Sequence, residues 1–248
     1  MIAVIVPAHD EAHVIGRCLA SIAVAAADPR LRGEAVLVVV ALDACTDATA
    51  AVCREHGAAT VTVDARCVGS ARSAAATAAL ARGARWIACT DADTAVPPDW
   101  LSRQLECGAD VFCGVVEVID WLDYPEGVRS AFSTREVARD GHRHVHGANL
   151  GMRADAYLAV GGFAALGTGE DVALVDALVQ SGARIAWLAQ PVVTTSARRS
   201  ARAPHGFSAF LRALEREVMG TGAALPGARR VAGQTDTACI AVNNGTVF

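Results

Sequence analysis

Trp86-Ile-Ala-Cys-Thr-Asp-Ala-Asp93 is a short apolar run that ends in two carboxylates. The apolar half has the length and composition of a buried strand. Two acidic side chains two positions apart, directly after a strand, can reach one hard cation together. The alternative is that they cap the helix that follows. This stretch therefore predicts a strand whose carboxyl end carries either a metal site or a helix cap.

Strands and helices alternate on both sides of this stretch. Apolar runs predict strands at 2–6, 36–42, 60–63, 86–90, 111–116, 145–152 and 184–188. Helical spacing predicts helices from about 11, at 46–56, 70–82, from about 99, and at 128–139, 171–181 and 207–218. This alternation predicts βαβ units, hence an α/β fold with a Rossmann-like, mainly parallel mixed sheet flanked by helices.

Length and composition limit the class of protein. The 248 residues fit a single domain over 1–225, with a nucleotide-binding half at 1–116, an acceptor half at 117–225 and a weakly patterned tail at 226–248. The longest aliphatic run, 35–42, is too short to cross a bilayer. No basic segment followed by a long apolar one begins the chain, so we expect a cytoplasmic protein without a transmembrane segment.

Charge and cysteine content exclude further classes. A net charge of −4 argues against a nucleic-acid partner, which calls for a basic surface. The eight cysteines have no C-x-x-C spacing, so we expect reduced thiols in apolar surroundings and not a zinc or disulfide framework. The sequence also lacks the glycine-rich motifs of dinucleotide-binding and P-loop proteins after its first strand.

Acidic residues follow three of the predicted strands. The first strand runs into residues 7–11, the second into 43–47 and the fourth into 91–93. In an open α/β sheet, ligands bind beyond the carboxyl ends of the strands. One acidic loop is ordinary helix capping, and we expect Thr46 or Asp47 to cap the second helix. Three such loops on one edge of a sheet indicate a polar ligand site.

Short motifs continue this series along the chain. In order they are Val6-Pro7-Ala8-His9-Asp10-Glu11, Asp43-Ala44-Cys45-Thr46-Asp47, Gly69-Ser70-Ala71-Arg72, Asp91-Ala92-Asp93, Gly147-Ala148-Asn149-Leu150-Gly151-Met152-Arg153, Gly161-Gly162-Phe163 and Gly169-Glu170-Asp171. The ordered series resembles glycosyltransferase family 2, the inverting enzymes with the GT-A fold, over roughly residues 1–200. It departs from the family pattern at Asp10 and Ser73, where asparagine is common.

The resemblance implies roles for individual residues. For nucleotide binding these are Pro7, Ala8, Glu11, Asp43, Arg72 and Asp91. Asp93 is implied as the principal ligand of Mn²⁺ or Mg²⁺, with Asp91 beside it. Asp171 is implied as the general base, next to Glu170. The resemblance thus implies a metal-dependent transfer of a sugar from a nucleotide-diphosphate donor, a UDP-sugar, to an acceptor hydroxyl.

The chemistry of inverting transfer also favours Asp171. An acceptor hydroxyl that attacks from the face opposite the leaving nucleotide must lose its proton to a carboxylate on that face. Asp171 follows the turn at 167–169 and opens a helix, which puts it at an edge of the sheet. The alternative is an acidic residue that only stabilises the helix N-terminus.

The second half offers candidates for the acceptor and the diphosphate. His146 and Asn149 lie near the turn at Gly147, and Trp121 can form a wall for a sugar or part of the core. His142, His144 and His146 alternate, which fits either a metal site or, more simply, a solvated face.

A basic loop follows the last predicted strand. Over residues 194–206 it is rich in arginine and small residues. We expect it to fold over the donor, with Arg198 or Arg202 on the diphosphate. GT-A enzymes can complete the metal shell with a late histidine, for which His205 is the candidate. The alternative is an exposed basic loop without a ligand.

Three other functions stay open from the sequence. A retaining GT-A transferase would use Asp171 to orient the acceptor. A nucleotidyltransferase would be expected to have a glycine-rich basic loop after the first strand, where this chain is acidic. A catalytically silent nucleotide-sugar-binding protein would have no need of Asp91, Asp93 and Asp171 together. The donor sugar, the acceptor and the oligomeric state are not indicated.

Overall fold

The computed structural model describes residues 1–136, 138–199 and 206–221. The strands are β1 (Ile2–Ala8), β2 (Val36–Asp43), β3 (Ala59–Val63), β4 (Trp86–Cys89), β5 (Val111–Cys113), β6 (Val116–Val118), β7 (Leu150–Arg153), β8 (Ile185–Trp187) and β9 (Val193–Thr195). The helices are α1 (Ile15–Ala26), α2 (Thr49–Glu55), α3 (Val68–Leu80), α4 (Trp100–Glu106), α5 (Glu126–Arg135), α6 (Ala154–Ala159), α7 (Glu170–Gln180) and α8 (Phe207–Thr221), with 3-10 turns at Pro29–Leu31 and Gly147–Asn149.

Within the described residues, seven strands form one sheet in the order β3-β2-β1-β4-β7-β5-β8. β1 is parallel to both β2 and β4, and β2 is parallel to β3. β7 runs antiparallel between β4 and β5, and β5 is parallel to β8. The pair β6–β9 forms a separate parallel ribbon. The predicted α/β fold with a mainly parallel mixed sheet is confirmed.

The sheet is buried on both faces, as β1 illustrates. Its side chains alternate between two apolar clusters, Ile2, Val4 and Val6 in one and Ala3 and Ile5 in the other. Helices α1 and α4 pack on the first face, and α3 and α7 on the second. A strand buried on both sides must be apolar throughout, which explains why β1 reads as a continuous hydrophobic run.

The structure corrects two of the predicted strands. The strand expected at 111–116 is broken into β5 and β6, which belong to different sheets. Gly114 lies at the break, where a Cβ atom would clash with the side-chain amide of Asn149. The strand expected at 145–152 begins only at Leu150, because the preceding residues form a 3-10 turn. Helix α6 and strand β9 were not predicted; both are short.

The first two helices begin three or four residues later than predicted. Asp10 has a left-handed backbone (φ 52°), and its carboxylate accepts the N–H groups of Thr46 and Asp47. These two hydrogen bonds join the loops after β1 and β2, and each helix begins only after its loop. Asparagine and aspartate tolerate this conformation best among residues with a side chain, so Asp10 fits where the family commonly has asparagine.

Helix α8 completes the described part of the second half. Phe207 and Phe210 both pack edge-on against Phe132 of α5, and their two rings are tilted relative to each other. The helix predicted at 207–218 is therefore confirmed, and the predicted tail at 226–248 lies outside the described residues. Over the part of the chain that the structure describes, no helix combines the length and apolarity needed to cross a membrane.

Candidate active site

The carboxyl ends of β1, β2 and β4 lie side by side and bring the predicted nucleotide residues together. Pro7 and Ala8 end β1, and Asp43 ends β2. The Asp43 carboxylate is buried and accepts the backbone N–H groups of residues 65–67, each at 2.8 Å. It therefore shapes the loop that opens α3, and its contact with a nucleotide base stays a prediction.

Asp47 precedes the second helix, whose N-cap position is Ala48, so neither Thr46 nor Asp47 is the cap residue that the sequence predicted. Its carboxylate accepts the N–H group of Thr49 at 2.9 Å and that of Ala12 at 3.0 Å. The same side chain thus binds the first N–H group of α2 and the loop that leaves β1. The acidic cluster at 43–47 is in this respect structural, and it holds two loops of the rim together.

Arg72 is a buried arginine at the centre of the rim. Its Nη2 donates to Oδ1 of Asp91 at 2.6 Å, and its Nη1 to the carbonyl oxygen of Gly147 at 2.7 Å. Its Nε lies 3.1 Å from Oε1 of the buried Glu170. Although burial opposes the charge, Asp91 and Glu170 raise the pKa of Arg72 above its usual range. Arg72 is therefore a permanent cation that joins β4 to α7.

Asp171 is connected to this arginine through Gly147, whose backbone binds both side chains. The N–H of Gly147 donates to its Oδ2 at 2.7 Å, while Arg72 binds the carbonyl oxygen of the same glycine. A Cβ at Gly147 would meet the guanidinium of Arg72 closely, so the packing requires glycine there. Burial raises the pKa of the neighbouring Glu170, with Arg72 opposing the rise. Glu170 is thus an anchor for Arg72, whereas the half-buried Asp171 accepts the N–H group of Gly147 with one oxygen and that of Val172 with the other.

Asp93 belongs to a second cluster around Arg198. Both terminal nitrogens of Arg198 donate to the Glu11 carboxylate, at 2.5 and 2.6 Å, and its Nε lies 3.2 Å from Oδ2 of Asp93. Burial raises the pKa of Asp93 to about 6, with Asp91 and Glu11 adding to the rise and Arg198 opposing it. This cluster carries more negative than positive charge.

The two aspartates of the opening stretch fit a divalent metal in their chemistry. Mg²⁺ and Mn²⁺ bound together with a phosphate take one or two carboxylates from the protein, and Asp91 and Asp93 can supply them. As they stand, the described side chains form no group of three metal-binding residues. His205, predicted as a further ligand, lies outside the described residues.

The neighbouring Arg199 is turned away from the donor side. It binds Asp123 and Glu215 and lies over the ring of Tyr124 at 4.0 Å. It therefore ties the loop after β9 to the helices of the second half. Arg202, predicted for the diphosphate together with Arg198, lies outside the described residues.

The predicted acceptor residues separate into different environments. Asn149 is fully buried, and its amide bonds the indole N–H of Trp100 and the carbonyl oxygens of Val115 and Pro191. Its prediction as an acceptor contact is corrected on this ground, because a side chain whose polar atoms all bond inside the core cannot reach a ligand. Trp121 stacks edge-on against Phe132 and stays half-buried.

The three alternating histidines form a stack, as their shared face suggested. The ring centroids of His142 and His144 lie 5.4 Å apart, and those of His144 and His146 lie 6.1 Å apart. Glu136 provides the acidic partner that the sequence did not reveal, 3.1 Å from His146 and 3.3 Å from His144. The stack thus has one buried and two half-buried histidines and contacts Glu136, so it differs from the solvated face expected.

A cavity of about 190 Å³ opens beside Asp93 and brings in residues that sequence reasoning missed. Arg17 of α1, Thr195 of β9 and the exposed Ile119 and Leu122 line it. Arg17 lies in the first turn of α1, the helix that follows the first motif, and that position is the signal that could have found it. Ile119 and Leu122 come from a stretch without helical or strand periodicity.

Comparisons with known proteins identify the family and the fold. The sequence matches the family model described as glycosyl transferase family 2 over residues 3–159. No curated protein matches the chain in sequence. In fold it is similar to S. aureus TarS 1-349 in complex with UDP-GlcNAc, with a TM-score of 0.63 at 16% identity. That alignment covers 88% of this chain and 66% of TarS 1-349, so this chain spans slightly less than two thirds of its length.

A second solved structure shares the fold. The mannosyltransferase PcManGT from Pyrobaculum calidifontis, in complex with GDP-Man and Mn²⁺, aligns with a TM-score of 0.58 at 17% identity. The alignment covers 92% of this chain and 76% of PcManGT. The family match spans more than half of the chain, and the mainly parallel sheet is the GT-A sheet of these structures. The chain therefore belongs to glycosyl transferase family 2.

Proposed function

We propose that this enzyme transfers a sugar from a UDP-sugar to an acceptor hydroxyl with inversion of the anomeric carbon, with Asp171 as the general base and a divalent metal on Asp91 and Asp93. The observation that carries the proposal is the link through Arg72. This buried arginine binds Asp91, and it also binds the carbonyl oxygen of the glycine whose N–H holds Asp171. A donor-side carboxylate and a candidate base thus share one rigid support.

The donor side of the site supports a nucleotide diphosphate. Pro7 and Ala8 end β1 beside the Asp43-bound loop, which leaves backbone and apolar surface for a base and a ribose. Arg198 lies close enough to Asp93 to reach a diphosphate held there, and arginine binds phosphate oxygens in a bidentate manner. Among similar folds, TarS 1-349 is in complex with UDP-GlcNAc and PcManGT with GDP-Man, which supports the donor class.

A divalent metal would supply positive charge to the diphosphate as it leaves, and Asp93 and Asp91 would hold it. The protein's own residues supply the rest of the stabilisation. Arg198 would take part of the charge that accumulates on the phosphate oxygens. Arg72 holds the Asp91 carboxylate in place through a charge-assisted hydrogen bond of 2.6 Å.

The reaction at the anomeric carbon requires one base. The acceptor oxygen forms the new bond to the anomeric carbon, the bond to the diphosphate oxygen breaks, and UDP leaves with the bonding electrons. The proton of the acceptor hydroxyl moves to a carboxylate oxygen of Asp171. The N–H of Gly147 fixes the orientation of that carboxylate, which limits the geometries that the base can adopt.

We expect the acceptor to bind in the cavity beside Asp93, next to the loop that carries Trp121. The lining of this cavity combines Arg17, hydroxyl groups such as that of Thr195, and the exposed Ile119. Polar groups with apolar rims are typical of sites that bind a sugar ring. His146, 17% exposed and bound to Glu136, remains a candidate for orienting the acceptor.

A donor screen tests the proposal. The full chain is incubated with UDP-glucose, UDP-GlcNAc or GDP-mannose, Mn²⁺ and a panel of hydroxyl acceptors, and nucleotide release is measured. The anomeric configuration of the product is read by proton NMR. We expect a UDP-sugar to be consumed and the product anomer to be inverted. A retained anomer would transfer Asp171 to an orienting role, and nucleotide binding without any turnover would indicate a silent binding protein.

A further inference from the structure

Arg198 and Asp93 form a contact that a metal on Asp93 would have to replace. The Nε of Arg198 lies 3.2 Å from Oδ2 of Asp93 in an ion pair, while its other two nitrogens donate hydrogen bonds to Glu11. A carboxylate oxygen bound to a guanidinium on this side does not offer the same lone pair to a cation. The arginine thus supplies positive charge at the position where the proposed function needs a metal.

Arg198 is held less firmly than Arg72, the other arginine of the site. It lies on the loop after β9, its side chain is 20% exposed and its backbone N–H bonds within the loop to Ser196. Arg72, by contrast, projects from the middle of α3 with a side chain 4% exposed. A loop arginine with a path to solvent can leave its carboxylates when a stronger anion competes for it.

A nucleotide diphosphate is such an anion. It carries more charge than either carboxylate and accepts a bidentate guanidinium equally well. Resting on the proposed function, we propose that Arg198 is a built-in counter-ion that blocks metal binding at Asp93 until the donor diphosphate draws the guanidinium away. Donor and metal then bind cooperatively, because each removes the obstacle to the other.

Two consequences follow for binding in solution. Mn²⁺ alone binds the wild-type protein weakly, since it must displace an arginine bound in charge-assisted geometry. UDP increases the affinity for Mn²⁺, and Mn²⁺ increases the affinity for UDP by the same factor, because coupling between two ligands is reciprocal. Removing the arginine separates these effects, since the metal position is then open without UDP.

Titration of the full chain with Mn²⁺ alone, followed by electron paramagnetic resonance, tests the proposal without any turnover. We expect Arg198→Ala to bind Mn²⁺ at least about tenfold more tightly than wild type, because the metal no longer has to displace the guanidinium from its ion pair with Asp93. Arg198→Lys retains the charge with a single point of contact and is expected to fall between them. Arg184→Ala, which removes an exposed arginine paired with Asp110, is the matched control and is expected to bind as wild type does.

Equal Mn²⁺ affinity in wild type, Arg198→Ala and Arg198→Lys, with circular dichroism spectra that match, would overturn the proposal. The outcome is separate from the test of the proposed function. Failure of the wild type to consume any nucleotide-sugar would contradict the transferase reaction, yet a gain of Mn²⁺ affinity in Arg198→Ala would still support the counter-ion.

Discussion

The two aspartates of the Asp91-Ala-Asp93 stretch are each bound by an arginine, and the two arginines differ in how they are held. Arg72 comes from α3, is buried and also binds Glu170 and Gly147. Arg198 comes from a loop, is partly exposed and shares its guanidinium between Asp93 and Glu11. Arg72, Glu170 and Gly147 thus form a fixed frame that holds Asp91. Asp93, by contrast, has a partner that can be exchanged.

Substitution of Asp171, the proposed base that Gly147 of the fixed frame binds, is expected to lower activity more than any other change. Asp171→Asn preserves the bond from the N–H of Gly147 but cannot accept the acceptor's proton. We expect transfer to fall by about 10²–10⁴-fold with donor affinity unchanged, as measured by nucleotide release and by calorimetry with UDP. Asp176→Asn, on the exposed face of the same helix, is the control and should keep activity. Equal activity of both variants would remove Asp171 from the chemistry.

Breaking the frame itself is expected to cost stability. Arg72→Met leaves the buried Glu170 without its cation, and the loss of a partner from a buried ion pair costs about 3–5 kcal/mol. Arg198→Met also leaves a buried carboxylate, Glu11, without its cation, but the arginine is 20% exposed, so water can enter the space that it leaves and we expect a smaller cost of about 1–3 kcal/mol. Urea denaturation followed by circular dichroism measures both. Equal losses would contradict the distinction between a fixed and an exchangeable arginine.

A third change tests whether Asn149 belongs to the frame or to the acceptor site. Asn149→Ala leaves Trp100 and two carbonyl oxygens without a partner inside the core. We expect a loss of about 1–3 kcal/mol in the free energy of unfolding. In the protein that remains folded, the KM for the acceptor should be unchanged. A raised acceptor KM at unchanged stability would return Asn149 to the acceptor site.

An exposed pair completes the series of arginine–carboxylate contacts. Arg85, 55% exposed, binds Glu34 and lowers the pKa of that carboxyl below its usual value of 4.5. Arg85→Met should cost less than about 1 kcal/mol at pH 7. Because the pKa is lowered in the folded state, the contribution is present above pH 4.5 and is lost as the pH falls through the lowered value. A cost that persists at lower pH would contradict this origin.

Much of the fold could be predicted because its signals are local. The runs at β1, β2 and β4 are apolar throughout, and the polar residues that follow them lie at one rim by the rules of parallel sheets. The break between β5 and β6 could not be predicted in this way. It depends on Gly114 meeting Asn149, a contact between residues 35 positions apart that leaves no mark in the periodicity of either segment.

The candidate site could likewise be predicted only in part. The order of the motifs predicts which residues reach the rim, but it does not predict their partners. Glu11 and Arg198 are 187 residues apart, and the bond between them arises only once β9 returns beside the first half. Asp43 likewise looks from the sequence like a group directed at a ligand, yet its oxygens hold the loop at 65–67. Partners depend on tertiary structure, which spacing alone does not encode.

Calorimetric titration of the full chain with UDP, with and without Mn²⁺, tests the central claim most directly. We predict that Mn²⁺ increases the affinity of the wild type for UDP by at least about tenfold, as coupled sites do. Asp93→Asn should abolish the increase, and Asp120→Asn, a carboxylate change in the cavity beside Asp93, should retain it. An affinity for UDP that does not respond to Mn²⁺ in the wild type, or responds equally in Asp93→Asn, would contradict the account.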